Sequence, residues 1–314
     1  MKKTTIITII AIVIVIIGLY IFMKKPATTT VPSTDTTSTT GSNAAATTTG
    51  SKGSQSSAST AASQANGAVQ SIGKSVGGND ISAYHYGSGS KEILFVGGIH
   101  GGYEWNTALL AYQVMDYFTK NPSAISAGVR VTIIPALNPD GLAKVVGTAT
   151  GDFTAADVSS SKTTVVAGRY NGNGVDLNRN FDCDWQTTGV WQNTPVSGGS
   201  AAFSEPESAA VKSYIEANNP SAVVVWYSAA GGVYASNCHT GVLPETDALV
   251  KAFATASGYP ANESFDFYAT TGDMTNWLAK SGIPAVSVLL TDHSSTELSK
   301  NIAGVKALIK YYAK

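Results

Sequence analysis

Residues 99–105 read IHGGYEW and place a histidine, His100, four positions before a glutamate, Glu104. An imidazole nitrogen and a carboxylate oxygen are both good ligands for zinc. A catalytic zinc ion takes three protein ligands and keeps a fourth position for water or substrate. The pair therefore indicates a metal site only if the chain supplies a third ligand. Taken alone, it is equally compatible with a loop histidine and a solvated glutamate.

A second polar stretch, residues 172–182, reads GNGVDLNRNFD. Arg179 can hold a carboxylate with two parallel charge-assisted hydrogen bonds, and the amide of Asn178 can add another. Asp176 can orient a neighbouring imidazole. The alternative is a polar turn held by structural hydrogen bonds. The residue types favour a carboxylate-binding site.

The elements around these stretches alternate between strands and helices. Apolar runs rich in Val and Ile predict buried strands over residues 93–96, 129–134, 222–227 and 285–290. Periodic segments predict helices over residues 105–118, 205–216, 245–256 and 296–312, with Ser204 as the N-cap of the second. This alternation predicts an α/β domain with a buried sheet. Ligands in such sheets bind beyond the carboxyl ends of the strands, where His100 and Ser228 fall.

The beginning of the chain has a different composition. The chain has 314 residues with a formal net charge of -1, which gives no electrostatic reason to expect nucleic acid as a partner. Residues 6–23 carry no charge, and this length is close to the about 20 residues that cross a bilayer. We therefore predict a membrane anchor over residues 1–25. A cleaved signal peptide is the alternative, but no small-residue cleavage site follows closely.

Residues 26–67 consist mostly of Ser, Thr, Ala and Gly, with Asp35 and Lys52 as their only charges. Such a segment has little to bury, so we predict a disordered linker followed by a globular domain over residues 68–314. Behind an anchor, this domain would lie outside the membrane. In an oxidising compartment, Cys183 and Cys238 would form a disulfide, and two unrelated buried thiols are the alternative.

Five blocks of this sequence together resemble the zinc carboxypeptidase family, which is typified by the pancreatic carboxypeptidases. The blocks are HGGYEW, NPDG at residues 138–141, GVDLNRNFD, YATTGDMTNW at residues 268–277 and GIPAVSVLL at residues 282–290. The resemblance covers nearly all of residues 70–314. It implies a twisted mixed β-sheet between helices, and one zinc ion bound by His100, Glu104 and a third ligand. It also implies hydrolysis of C-terminal residues of peptides or cell-wall-type peptides by zinc-activated water.

The resemblance also implies roles for individual residues. Asn178 and Arg179 would bind the terminal carboxylate of the substrate, and Tyr268 would close over it. Arg169 would stabilise the oxyanion. Thr275 falls where the family tunes its specificity pocket, and a small polar residue there argues against a preference for large apolar side chains.

Three positions depart from the pattern of the family. His100 and Glu104 are separated by three residues instead of two, which the paired glycines between them can absorb. The position of the third zinc ligand reads Tyr227, and a phenol loses its proton only near pH 10. The position of the general-base glutamate reads Leu289, and leucine cannot move a proton.

Other side chains are available as substitutes for the missing groups. His239 follows Cys238 in a loop, and Asp292 and His293 come just after the last predicted strand. Each is also compatible with a surface or structural role.

Two functional hypotheses follow from the retained and the replaced residues. The first is a slow metallocarboxypeptidase, which the carboxylate-binding block favours. The second is a carboxypeptidase-like module that binds peptide C-termini without cleavage, which the two replacements favour. A purely structural domain would explain none of the retained polar residues.

Overall fold

The computed structural model describes residues 67–314, which fall within one compact unit. The predicted anchor at residues 1–25 and all but Gly67 of the predicted linker lie outside the described residues. Between residues 67 and 314, no helix is long and apolar enough to cross a membrane.

The centre of the fold is an eight-stranded mixed sheet with the order β1-β2-β4-β3-β7-β10-β8-β9. Four neighbouring strands, β4, β3, β7 and β10, run parallel, and antiparallel pairs flank them. A separate hairpin is formed by β5 and β6. The strands are β1 (Ala68–Lys74), β2 (Asp80–Tyr86), β3 (Lys91–Val96), β4 (Val129–Ile134), β5 (Thr188–Trp191), β6 (Thr194–Ser197), β7 (Ala222–Ser228), β8 (Gly232–Ala235), β9 (Ala261–Asn262) and β10 (Ala285–Leu290).

Within residues 67–314, seven α-helices connect and cover these strands. They are α1 (Trp105–Lys120), α2 (Pro139–Val146), α3 (Lys162–Ala167), α4 (Pro206–Asn218), α5 (Pro244–Ser257), α6 (Met274–Lys280) and α7 (Leu298–Tyr312). Helices α1, α5 and α7 contribute to one apolar cluster, and α4 and α6 contribute to another. The prediction of an α/β domain with a mixed sheet between helices is therefore confirmed.

The central strands are buried on both faces, and for this reason their sequences do not alternate between apolar and polar residues. On β7, Val224 and Trp226 belong to one apolar cluster, and Val223 and Val225 belong to the other. Because successive side chains of a strand point to opposite faces, both faces of β7 are buried. The four predicted strands are found with ends shifted by at most two residues.

The predicted N-cap of α4 is wrong. The helix begins at Pro206, and Glu205 is its N-cap residue without a side-chain capping bond. Proline is favoured at the first helical position because it has no N–H to leave unpaired, so the helix begins at Pro206 and Glu205 takes the N-cap position in place of Ser204. The hydroxyl of Ser204 instead donates to Glu205.

Candidate functional site

The candidate site lies beyond the carboxyl ends of the parallel strands. His100 follows β3, Ser228 ends β7, and Leu289 lies one residue before the end of β10. Leu289 is the direct register partner of Tyr227 in the parallel pair β10–β7. The two positions that depart most from the family are therefore neighbours on adjacent strands.

A short 3-10 helix, Gly101–Glu104, brings His100 and Glu104 together. His100 Nδ1 lies 3.0 Å from Glu104 Oε1, and both side chains are buried. Gly101 has a φ of +46°, and a Cβ atom there would lie 2.6 Å from the carbonyl oxygen of Gly168. A Cβ atom on Gly102 would lie 2.3 Å from Cβ of Val145. The two glycines are thus required for the tight turn that absorbs the extra residue.

Arg169 and Asp176 form a buried ion pair against His100. Arg169 Nη2 lies 2.8 Å from Asp176 Oδ2 and 2.9 Å from His100 Nε2, and His100 Nε2 lies 3.4 Å from Asp176 Oδ1. The Arg169 guanidinium also stacks over the Trp191 ring, 4.5 Å from its centroid. The structure therefore brings together the predicted orienting carboxylate and the predicted oxyanion arginine beside His100.

The charges of this cluster shift one another's protonation. Burial raises the pKa of Asp176, but Arg169 and His100 outweigh it and hold that pKa well below its usual range. Burial and Arg169 lower the pKa of His100, but Glu104 and Asp176 outweigh them and raise it overall. Asp176 is therefore a fixed anion at the centre of the cluster.

Two atoms of the cluster fit a metal ion. Glu104 Oε2 is buried without a hydrogen-bond partner among the described residues, and His100 Nδ1 beside it contacts the other oxygen of the same carboxylate at 3.0 Å. Unpaired buried polar atoms are uncommon, and a cation held by His100 Nδ1 and Glu104 would satisfy this one. However, residues 67–314 contain no group of three or more His, Cys, Asp or Glu side chains that could hold a metal ion.

Tyr227 does not fit as the third ligand. Its hydroxyl donates to Asn178 Oδ1 at 3.2 Å, and its ring lies 5.7 Å from that of His100. Burial, followed by the charges of Asp273 and Glu104, raises the pKa of Tyr227 well above its usual value. Tyr227 is therefore a neutral phenol, and a zinc site with the ligand set of the family is incomplete in this chain.

The three substitutes suggested by the sequence, which are His239, Asp292 and His293, lie in different surroundings. The side chain of His239 is 74% exposed and lies 2.8 Å from Asp184, so the structure does not bring it to His100. Asp292 accepts hydrogen bonds from the backbone of Ser294 and Ser295. His293 does line the cleft. Among residues 67–314, the one carboxylate that lines the outer pocket with Leu289 is that of Glu104, the candidate metal ligand, and Leu289 itself is 6% exposed.

The cleft has two contiguous parts. The inner pocket, of about 180 Å³, is lined by Asn178, Arg179, Tyr227, Asp273 and Thr275, among others. The outer pocket, of about 480 Å³, is lined by residues that include Tyr103, Trp191 and His293. Both parts share the walls formed by Glu104, Arg169, Ser228, Phe265, Tyr268 and Leu289.

Arg179 is the cation of the inner pocket and is 1% exposed. Its Nε and Nη2 donate to the carbonyl oxygen of Val190 at 3.2 and 2.8 Å, and its Nη1 donates to that of Asn178 at 2.6 Å. A guanidinium has five N–H donors, so these three bonds leave two for a ligand. Gly272, with a φ of +67°, allows the close packing here because a Cβ atom would lie 2.2 Å from the carbonyl oxygen of Arg179.

Asn178 is occupied by protein partners. Its Oδ1 accepts from Tyr227 and from the backbone N–H of Met274, and its Nδ2 donates to Asp273 at 2.8 Å. Thr275 is buried and donates to Asp273 at 2.7 Å. Both predicted binding residues line the inner pocket, and both also build its wall.

Tyr268 and the disulfide complete the inner pocket. The Tyr268 ring lies 5.9 Å from the Arg179 guanidinium, where it can close over a bound group. Cys183 and Cys238 form a disulfide, as predicted. Cys183 follows the Arg179 segment, and Cys238 directly follows Asn237, which also lines the inner pocket. The bond thus connects two segments that line the pocket.

Sequence reasoning missed Asp273 and Trp191. Asp273 caps the N-terminus of α6 and accepts a hydrogen bond from Asn178. The pattern Asp-x-x-Asn before an apolar segment indicates such a helix cap. Trp191 reaches Arg169 from the β5–β6 hairpin, and no local pattern indicates that contact.

Comparisons with known proteins agree with this geometry. A family model described as "Zinc carboxypeptidase" matches residues 56–295. The human carboxypeptidase N catalytic chain is 28% identical over 211 residues, covering 63% of this chain and 40% of that protein. Gamma-D-glutamyl-L-diamino acid endopeptidase 1 of Lysinibacillus sphaericus is 26% identical over 225 residues, covering 63% of this chain and 54% of that protein. The chain thus spans about half the length of these relatives.

Solved structures share the fold at lower identity. Bovine thrombin-activatable fibrinolysis inhibitor superposes with a TM-score of 0.61 at 17% identity, covering 78% of this chain and 88% of that chain. Murein-tripeptide amidase MpaA from Escherichia coli O157 superposes with a TM-score of 0.55 at 21% identity, covering 77% and 91%. With the family model matching well over half of its residues, this chain belongs to the zinc carboxypeptidase family.

Proposed function

We propose that this domain binds the free carboxyl end of a peptide and does not cleave it. The observation that carries the proposal is Arg179, a buried guanidinium that contacts carbonyl oxygens and no carboxylate among the described residues. The other two arginines of the chain are paired, Arg130 with Glu92 and Arg169 with Asp176. Asp176 interacts with the charge of Arg179 only beyond ion-pair distance. A buried charge that no carboxylate contacts is costly, and a ligand carboxylate would supply the contact.

The geometry of Arg179 suits a carboxylate. Its two spare N–H groups belong to the two terminal nitrogens, which can form parallel bonds to both oxygens of one carboxylate. The pocket around it is closed on one side by Tyr268 and is polar at its floor, where Asp273 and Thr275 lie. These features support recognition of a peptide terminus with a small or polar side chain.

The replaced positions favour binding over hydrolysis. Leu289 provides no group that could take a proton from water, and Tyr227 stays a neutral phenol. Because the described residues provide only two fitting ligands for zinc, we derive no reaction step through a metal ion.

Peptides, including cell-wall-type peptides, are the ligand class that we propose. One bacterial relative is named for a gamma-D-glutamyl-L-diamino acid linkage, which supports this choice. The disulfide supports an oxidising location outside the cytoplasm. We further propose that residues 1–25 anchor the chain in a membrane and that residues 26–67 link the anchor to the domain.

Metallocarboxypeptidase activity is the second candidate. It is favoured by one observation, the buried Glu104 Oε2, which has no hydrogen-bond partner among the described residues and belongs to the carboxylate beside His100 Nδ1. This candidate requires zinc-dependent release of C-terminal residues that is abolished by His100→Ala.

The proposal is tested by calorimetric titration with an N-acetyl dipeptide and with its C-terminal amide, each in the presence of a chelator. We expect the acid to bind and the amide to bind at least tenfold more weakly, because the amide provides no counterion for Arg179. In a parallel incubation with added zinc and no chelator, recovery of the unchanged peptide shows that binding occurs without cleavage. Equal affinity for the two ligands, or binding of neither, would contradict the proposal.

A further inference from the structure

His293 is a cleft residue that contacts neither His100 nor Arg179. It comes after β10, lines the outer pocket and packs against the Tyr103 ring with 4.8 Å between ring centroids. One of its ring nitrogens, Nδ1, lies 2.9 Å from Ser228 Oγ. The other, Nε2, has no hydrogen-bond partner among residues 67–314.

The hydrogen bonds behind Ser228 determine where its proton lies. Asn106 Nδ2 donates to the carbonyl oxygens of Asp292 and Ser295, at 2.8 and 2.9 Å. This fixes the orientation of the Asn106 amide, so its Oδ1 must be an acceptor. Ser228 Oγ lies 3.1 Å from that oxygen and donates to it. A hydroxyl has a single proton to donate, so Ser228 has none left for His293.

The direction of these hydrogen bonds then determines which ring nitrogen of His293 carries a proton. Since Ser228 cannot donate to His293, Nδ1 of His293 must carry a proton and donate to Ser228. Burial, together with His100 and Arg169, outweighs Glu104 and lowers the pKa of His293 below its usual value. The ring is therefore neutral at neutral pH, and Nε2 carries a lone pair.

We propose that His293 is a ligand-binding residue whose Nε2 accepts a hydrogen bond from a backbone N–H of the bound peptide. This rests on the proposed function, in which Arg179 holds the carboxyl end in the inner pocket. The outer pocket shares six lining residues with the inner one, so a peptide extending from Arg179 enters the space that His293 faces. The carboxylate of Glu104 also faces this space and only accepts, which likewise suits a donor. The bound ligand therefore has at least one peptide bond before its terminal residue.

The first test is the tautomer of His293 in the full chain. The chain has only four histidines, so nitrogen-15 labelling of their rings gives a simple spectrum, and His293→Phe assigns the signal. At pH 7.5 we expect His293 to carry its proton on Nδ1 and not on Nε2. In Ser228→Ala the bond that fixes the proton is lost, and we expect Nε2 to become partly protonated, with Ser228→Thr restoring the original state. A proton on Nε2 in the wild-type chain would overturn the inference.

The second test uses an N-acetyl dipeptide and its two ester analogues, each of which replaces one backbone N–H by oxygen. One neutral hydrogen bond corresponds to a change in affinity of about 2- to 10-fold. We expect one ester to bind more weakly by that factor to the wild-type chain, and the difference to vanish in His293→Phe. We also expect the Nε2 signal to shift with the dipeptide and not with that ester.

The outcomes separate this inference from the proposed function. If the dipeptide binds through Arg179 but both esters bind equally well, or the difference survives in His293→Phe, the inference fails and the proposed function stands. If the dipeptide does not bind at all, both fail.

Discussion

Replacing Arg179 separates a role in binding from a role in folding. Two spare N–H donors on a charged group, at about 1.5–3 kcal/mol for each bond, correspond to about 3–6 kcal/mol of binding free energy. The lower end, which suits a pocket that is partly open to water, is a loss of about 100-fold in affinity. We therefore expect Arg179→Met to bind the N-acetyl dipeptide at least 100-fold more weakly. Arg179→Lys should be intermediate, because lysine keeps the charge but lacks the planar fork.

Arg130→Lys is the matched control for this series. Arg130 lies near the beginning of β4, at the end opposite to the cleft, and pairs with Glu92. The same substitution there should leave ligand affinity unchanged. Affinity is measured by calorimetry, and circular dichroism checks that each variant is folded. A folded Arg179→Met variant that still prefers the acid to the amide would refute the assignment of Arg179 as the carboxylate site.

Three further predictions concern the disulfide and the replaced positions. Replacing Cys183 and Cys238 together by serine should lower the free energy of unfolding by about 4 kcal/mol, because the bond closes a loop with a sequence separation of 55, and a urea titration measures this. Tyr227 should not ionise at pH 10 in the folded chain, since its pKa is raised; the unfolded chain does ionise there, so stability should fall as the pH rises above about 10. The difference in absorbance at 295 nm between the wild-type chain and Tyr227→Phe checks this, and a phenolate signal near pH 10 would contradict it. The double variant Tyr227→His and Leu289→Glu should bind one zinc ion per chain and release C-terminal residues, whereas no gain of either property would mean that these strand ends do not face His100.

The sequence was sufficient to predict the elements that are buried on both sides. The central strands β3, β4, β7 and β10 are continuous apolar runs, because each contacts the core through both faces. The outer strands β1 and β2 mix exposed, polar and aromatic residues, and their position follows from pairing with β4 instead of from a local pattern.

The candidate site could be predicted only where its residues are close in sequence. His100 and Glu104 share one turn, and Asp176 and Arg179 share another, so their types and spacing were informative. The role of His293 depends on Asn106 and Ser228, which are far from it in the chain and meet it only through the sheet and α1. His239 is the opposite case. Its position after Cys238 in the sequence suggested that it could reach the site, but the structure places it against Asp184 instead.

We propose that this cleft binds a carboxylate without a zinc ion. The most direct test is the zinc content of the chain after dialysis against trace zinc, measured by elemental analysis. We predict well under one zinc ion per chain, in protein that still binds the N-acetyl dipeptide. One zinc ion per chain that is lost in His100→Ala would contradict the account, because it would show that a third ligand completes the site.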